Sequence, residues 1–370
     1  MRHLYFYTFI PFYIVALLYL AIALPIGPHE ATVYYEGEGI LSLLTHLCKG
    51  CFSNNLDFRL PFLTFGFLNI PLFYIMSRFY LDRKEETYLA TTIFLLLPGI
   101  ITSTVLVNIA VVVITLVLIF LIFYKQKNWI GVALIMVTLL LIHDASIIFF
   151  IAIVVFSVYK RNSKLLIFSI VLALVAIFYF NGLEIDGTPT GEFLQLFGLY
   201  IALFSPFVFL YFFYALYRIW LREEKNLLWF ISFISFIFSI LLSLRQQVDM
   251  TDFAPYVIVS VVLMLVVYYK TFSVRLPMFQ KPYRWGFNIV IGSLIISSLV
   301  TIFHQPLFYL LDDKSKHFAY PFYEPYWQVL ELHEIEQNCY TVKKKNVQYQ
   351  LKYYGIEKCE ESTVPKIHRY

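Results

Sequence analysis

Charged residues are scarce in this chain. Asp, Glu, Lys and Arg make up 14% of its 370 residues, whereas 60% are hydrophobic and the mean hydropathy is +0.73. A soluble domain is built from roughly 45–50% apolar and about 25% charged residues, so a soluble globular class is excluded. The formal net charge of +4 is not gathered into a groove or an arginine-rich arm, and nucleic acid is therefore not an expected partner. The basic residues stand instead in short groups between apolar runs: Arg83-Lys84, Lys125 with Lys127, Lys160-Arg161 with Lys164, Arg218 with Arg222 and Lys225, and Lys281 with Arg284. That is the spacing of topology signals. Cysteine is scarce too, at four residues, and neither pair has further ligands at a recognised metal spacing. What the chain has in abundance is Phe (38) and Tyr (29), the rings that populate lipid interfaces and helix seams.

Apolar runs that reach, or nearly reach, the length needed to cross about 30 Å of hydrocarbon fall near 4–26, 60–81, 88–106, 109–124, 129–142, 145–159, 165–180, 193–217, 227–244, 253–269 and 286–303. The expected fold is an all-α polytopic membrane protein of about eleven transmembrane helices. Runs of 14 to 16 residues predict kinked or recessed helices. The first run exceeds a signal-peptide core and is followed by a poor processing site, so it is read as a retained helix. With the amino terminus inside, Arg2 and the basic groups above join Arg78, Lys270 and Arg275 on one face, sixteen in all. The opposite short connections carry only Lys49, Arg59 and Arg245. This asymmetry places the N-terminus in the cytoplasm and, for an odd number of spans, the tail outside. Two domains are expected: a transmembrane domain over 1–303, with an outer loop and interfacial helix at 27–59, and a small extracytoplasmic α/β tail over 304–370.

All four cysteines fall in outer segments, where disulfides persist. A Cys339–Cys359 bridge is expected in the tail, and Cys48 and Cys51 either close a small loop or remain free. Within the tail a short helix is expected around 324–336, and the alternation over 347–353 predicts a strand.

Ten acids lean to the outer face: Glu30, Glu36, Glu38, Asp57, Asp144, Glu184, Asp186, Glu192, Asp249 and Asp252. Either they solvate loops or they line an outward polar site. Glu30 sits at the mouth of the bundle within a turn or two of the first span, and residues 40, 43, 44 and 47 recur at helical spacing beyond it. A carboxylate so placed can accept a proton, or it is an ordinary loop acid. Asn108 interrupts the apolar stretch over 100–109, as a polar turn or a helix cap. His143-Asp144 stands at another outer reversal, where an ionisable pair must face water, a partner or a cavity. The Gly/Pro-punctuated loop at 181–192 is long enough to cover a substrate. Arg245 opens the most polar late turn; it either binds phosphate oxygens bidentately or pairs with Asp249 or Asp252.

Four short motifs carry a resemblance. They are His29-Glu30-Ala31-Thr32-Val33-Tyr34 after the first span, residues 58–66 opening the second, residues 77–83 closing it, and residues 90–99 in the third. In this order and spacing the first 160 residues resemble the GT-C superfamily of membrane glycosyltransferases, in particular protein O-mannosyltransferases and lipid A aminoarabinose transferases. The remainder is similar only in general layout. The resemblance implies a GT-C-like fold that uses a lipid-linked sugar as donor. Glu30 would stand at the acidic catalytic motif, with His29 where the family keeps its first acid. Arg59, Asn108, His143, Asp144 and Arg245 would border the substrate, Asn108 where many relatives carry an acid and Arg245 where they carry a basic residue.

The implied reaction transfers a sugar from a polyprenyl phosphate or diphosphate to an acceptor hydroxyl of a lipid, glycan or protein. Glu30 would act as general base and Arg245 would balance charge on the departing phosphate. Membrane lipids and the polyprenyl-linked sugar are the implied partners, and the bacterial cytoplasmic membrane is the implied location, with the tail periplasmic or extracellular. No cofactor is required by the sequence, and a divalent metal has no motif to support it. A transporter or flippase of an anionic or lipid-linked substrate, and a noncatalytic membrane assembly protein, are the competing classes.

Overall fold

The structure, a computed structural model, describes residues 2–52, 54–180 and 193–359. The 181–192 loop therefore lies outside the described residues. The regular elements are helical: α1 (Arg2–Ala23), α2 (Pro28–Glu36), α3 (Gly39–His46), α4 (Leu56–Ser77), α5 (Lys84–Leu96), α6 (Pro98–Val105) and α7 (Ile109–Lys125) open the chain. Then follow α8 (Trp129–Ile142), α9 (Ser146–Lys160), α10 (Ser163–Tyr179), α11 (Phe193–Phe204), α12 (Pro206–Arg222) and α13 (Leu227–Ser243). The last are α14 (Met250–Ile258), α15 (Val261–Val274), α16 (Pro277–Ile302), α17 (Leu307–Leu310), α18 (Tyr320–Glu334) and α19 (Lys345–Tyr353).

Among the described residues, four stretches have the length and apolar composition of a membrane crossing: Tyr5–Ala23, Leu56–Ser77, Met250–Val274 and Pro277–Ile302. Two more are bent pairs, α5 with α6 at 61° and α11 with α12 at 105°. Five shorter apolar helices, α7, α8, α9, α10 and α13, complete the set. Large apolar side chains stand exposed on these helices, among them Phe12 (76%), Ile130 (84%), Phe178 (80%) and Trp285 (71%). Such surfaces are stable where the solvent is hydrocarbon, and the architecture is that of a helical membrane protein.

The bends differ from the single runs expected over 88–106 and 193–217. Each has a proline at its break. Pro98 disfavours the helical region for Leu97, which is extended (φ −62°, ψ 127°), so α5 ends and α6 begins at a new angle. Here the hydroxyl of Ser298 in α16 donates to the Leu96 carbonyl, a backbone acceptor that hydrocarbon could not satisfy. At the second break Ser205 takes φ 77° ahead of Pro206.

The described residues divide into two compact units: those within 1–13, 64–104 and 108–301 form one, and those within 14–63, 105–107 and 302–359 the other. In the first, α13 presents Ser232, Ser235, Ser239 and Ser243 on one buried stripe. Small side chains at three- and four-residue spacing let helices approach closely, and α13 packs on α9 and α14. Tyr200 of α11 meets that stripe, its hydroxyl 2.9 Å from Ser239 Oγ.

In the second unit, α19 packs on α2 and α18. The strand expected over 347–353 is instead a helix. Residues two apart in an alternating pattern are also four apart in pairs, and that is the spacing used. Tyr349 stacks on Tyr35 at 5.5 Å, and Tyr353 meets Tyr34 at 5.8 Å and Phe58 at 5.5 Å. Gln350, fully buried, donates to the carbonyls of Ile26 (2.7 Å) and Pro321 (3.1 Å). The helix expected at 324–336 is present as α18. Only an isolated bridge, Cys339 to Glu357, adds β-type pairing among the described residues.

Cys339 and Cys359 form a disulfide beside the small core of Val329, Leu332, Leu351 and Ile356. So small a core needs a staple. Closing a loop of 20 residues is worth about 3 kcal/mol through the unfolded chain. Reduction is therefore expected to expose residues 304–359 to limited proteolysis while the apolar helices stay protected; mass mapping of the fragments checks this, and an unchanged digest contradicts it. Cys48 and Cys51 are free, not bridged. They sit in a turn held by Asp57, which accepts from the N–H groups of Gly50 (2.8 Å), Cys51 (3.0 Å) and Phe52 (3.3 Å). Burial, with Cys51 and Asp57 beside it, pushes the Cys48 thiol up, whereas the Cys51 side chain is exposed.

Candidate functional site

The connection from α1 to α2 begins at Leu24-Pro25-Ile26-Gly27, a non-helical stretch whose backbone groups need partners if buried. Arg59, in the first turns of α4, meets two of the stretch's carbonyls and one more in the last turn of α1. Its Nη1 donates to the carbonyls of Ala21 (2.8 Å) and Leu24 (2.6 Å), and its Nη2 to that of Pro25 (2.9 Å). The Asn55 amide donates to Leu24 O at 2.9 Å, and the Tyr354 hydroxyl accepts from Ile26 N–H at 3.0 Å.

Glu30 completes the arrangement. Arg59 Nε donates to Glu30 Oε1 at 3.0 Å and Nη2 to Oε2 at 2.5 Å, the two-pronged geometry of a guanidinium on a carboxylate. Glu30 is also the third residue of α2, and Oε2 accepts the Gly27 N–H at 2.8 Å, one arm of a capping box. Oε1 accepts from the Val107 N–H at 3.0 Å. Both side chains are buried, Arg59 at 0% and Glu30 at 3% exposure. All five guanidinium N–H donors are engaged and the carboxylate takes four hydrogen bonds. So complete a satisfaction is what makes a buried charge pair tolerable. It also leaves Glu30 no free lone pair and Arg59 no free donor.

His29, by contrast, is exposed at the N-terminus of α2 and its side chain makes no hydrogen bond among the described residues. The clasp thus fixes the backbone on which His29 stands. In the same unit, Gln305, Phe308, Tyr309, Lys314, Tyr323 and Trp327 line a cleft of about 370 Å³. Lys343, Lys345, Lys352 and Lys358 border a wider one of about 590 Å³ on α19 and its flank. Two of these lysines are already engaged: Lys345 pairs with Glu36 at 2.5 Å and Lys352 lies over the Tyr35 ring at 4.9 Å.

The other sequence candidates lie in the first unit. Asn108 caps α7, its side chain accepting the Ala110 N–H at 2.7 Å. Arg245 follows α13, exposed and without an ion pair among the described residues; Asp249 caps α14 and Asp252 faces His143, so neither expected acid meets it. His143 is buried at the end of α8, with Nδ1 3.0 Å from Asp144 Oδ1 and Nε2 3.7 Å from Asp252 Oδ1. The hydrogen bond to His143 holds the Asp144 carboxyl below the usual carboxylate range. Asp252, 109 positions beyond His143, is the member that sequence reasoning did not join to this group. Its one local signal is the four-residue step to Tyr256, which puts both on one face of α14.

No family model, no curated protein and no solved structure matches this chain.

Proposed function

We propose that this protein transfers a sugar from a polyprenyl phosphate or diphosphate to an acceptor hydroxyl at the outer membrane face, with His29 as proton acceptor and Glu30 as its positioning residue. The observation that carries the reading is the saturated Glu30–Arg59 clasp, which pins the segment between α1 and α2 and presents beside it an imidazole without a partner among the described residues. A general base must have a lone pair to offer. Glu30 spends its own on four donors, so the base role passes to the neighbouring histidine. In the transfer step the acceptor O–H gives its proton to the imidazole, the acceptor oxygen bonds to the anomeric carbon, and the bond from that carbon to the phosphate oxygen breaks with its electron pair on the carrier. The aromatic cleft around Tyr323 and Trp327, with Gln305 and Lys314 at its edge, has the mixed ring and polar lining that suits a saccharide. Arg245, exposed and unpaired among the described residues, is a separate candidate for an anionic headgroup.

The topology that goes with this reading has eleven crossings: the four long stretches, the two bent pairs and the five shorter helices. It puts the N-terminus inside and the 27–59 segment and the tail outside. Cys51 is a native reporter of that arrangement, being free and exposed. A membrane-impermeant maleimide is expected to label it on intact cells, or on spheroplasts where an outer membrane intervenes; labelling that requires permeabilisation of the cytoplasmic membrane overturns the topology. The reaction itself is tested with purified protein in lipid nanodiscs and short polyprenyl-phosphate sugars. Release of the carrier phosphate dependent on the chain supports it, and folded protein that turns over no polyprenyl-linked donor overturns it.

A further inference from the structure

The turn between α8 and α9 and the first turns of α14 bring together three metal-ligating side chains that the proposed function does not use. The ligating atoms of His143, Asp144 and Asp252 all lie within 4.8 Å of one another. His143 is buried, Asp252 is 33% exposed and Asp144 70% exposed, so the group opens from the protein toward its surroundings. His143 Nε2 and Asp252 Oδ1 are 3.7 Å apart, too far for a hydrogen bond, yet two donors each about 2.1 Å from one ion stand at such a spacing.

The ring's other nitrogen supports the same assignment. Nδ1 lies 2.9 Å from the Ala145 N–H and 3.0 Å from Asp144 Oδ1. It cannot accept from the first and donate to the second at once. Ala145 N–H has an alternative partner in Asp144 Oδ1 itself, at 2.8 Å. With Nδ1 protonated, the ring donates to Asp144 and turns an Nε2 lone pair toward the Asp252 carboxylate. Two acceptors then face each other across a gap, and a cation resolves the repulsion. A carboxylate behind the distal ring nitrogen is the usual support of a metal-bound histidine.

An independent feature points into the same place. Tyr256 is fully buried, one helical turn beyond Asp252 on α14, and its hydroxyl has no hydrogen-bond partner among the described residues. The four-residue step along α14 puts it on the same helix face as Asp252. A buried phenol without a partner is costly, and a water carried by an ion would satisfy it.

We propose that His143 and Asp252, with Asp144 orienting the imidazole from behind, form a site for a divalent transition-metal ion, with the Tyr256 hydroxyl bonded to an ion-bound water. One imidazole with a carboxylate and water suits an ion of the Mn²⁺ or Zn²⁺ kind. The site is built from one unit alone and holds its ion whether or not sugar transfer is the activity.

Full-length protein in nanodiscs, stripped with chelator, is titrated with Mn²⁺ by electron paramagnetic resonance and with Zn²⁺ by calorimetry. One ion per chain is expected for at least one of the two. Asp252→Asn, isosteric and partly exposed, and His143→Gln each weaken binding at least about tenfold. Tyr256→Phe weakens it by less, and Asp82→Asn, on another connection, leaves it unchanged. The ion raises the melting temperature of wild-type protein and not that of Asp252→Asn. Folded wild-type protein that takes up neither ion overturns the site. So does binding that is unaltered in Asp252→Asn, which would put the ion elsewhere.

Discussion

Arg59→Met is expected to unfold the region around α2 and α19 at temperatures where the wild-type protein is intact. The methionine spans much of the arginine's length but leaves the Glu30 carboxyl, 3% exposed, with only the Gly27 and Val107 amides for company. It also strips donors from the carbonyls of Ala21 and Pro25 and one of the two that reach Leu24. Breaking a buried ion pair from one side costs about 3–5 kcal/mol, a large share of the stability of any domain. Glu30→Gln costs less, because the amide keeps an acceptor for the guanidinium while its NH₂ opposes one of the present donors. The double variant Glu30→Gln with Arg59→Met should fall short of the sum, since no unpaired charge remains in either position. Thermal unfolding in detergent, followed by size-exclusion of a fluorescent fusion, reads all three. An Arg59→Met protein that melts with the wild type would mean that the clasp is not what holds α2.

Much of this was legible in the residues, and the failures have one physical origin. Hydropathy locates the apolar helices because lipid contact needs only composition. It carries no direction, so the runs over 88–106 and 193–217 read as single spans although Pro98 and Pro206 stand inside them and break both. The 347–353 segment misled for a related reason. Val347, Tyr349, Leu351 and Tyr353 satisfy a two-residue alternation and a four-residue helical spacing alike, and contacts made with Tyr34, Tyr35 and Phe58 select the helix. Glu30 was visible as an acid beside the first span, but not its partner 29 residues on. One hint existed: Arg59 is a cation placed at the head of an apolar helix, and a charge there must find a counter-charge or snorkel. The meeting of His143 with Asp252 had no such hint, because tertiary proximity between two reversals leaves no mark in a single sequence.

His29→Ala is expected to lower sugar transfer by about 10² to 10⁴, the range typical for a removed general base, and to leave the melting temperature where it was. The two readouts separate because His29 makes no hydrogen bond among the described residues, so its removal strands no partner. Glu30→Gln behaves differently: it loosens the capping of α2 at Gly27 and the grip of Arg59, and lowers stability and turnover together. The loss in His29→Ala should fall on kcat more than on KM, since an imidazole that takes a proton in the transition state binds the resting substrate little. His29→Glu, which restores a proton acceptor at the same helical position, should recover part of the rate with a pH profile moved to the acid side, as a carboxylate replaces an imidazole. A His29→Ala protein that transfers sugar at the wild-type rate would remove the histidine from the chemistry. The proton would then have to leave through Glu30, and the clasp would have to open during turnover, so the Arg59 guanidinium would exchange partners in step with the reaction.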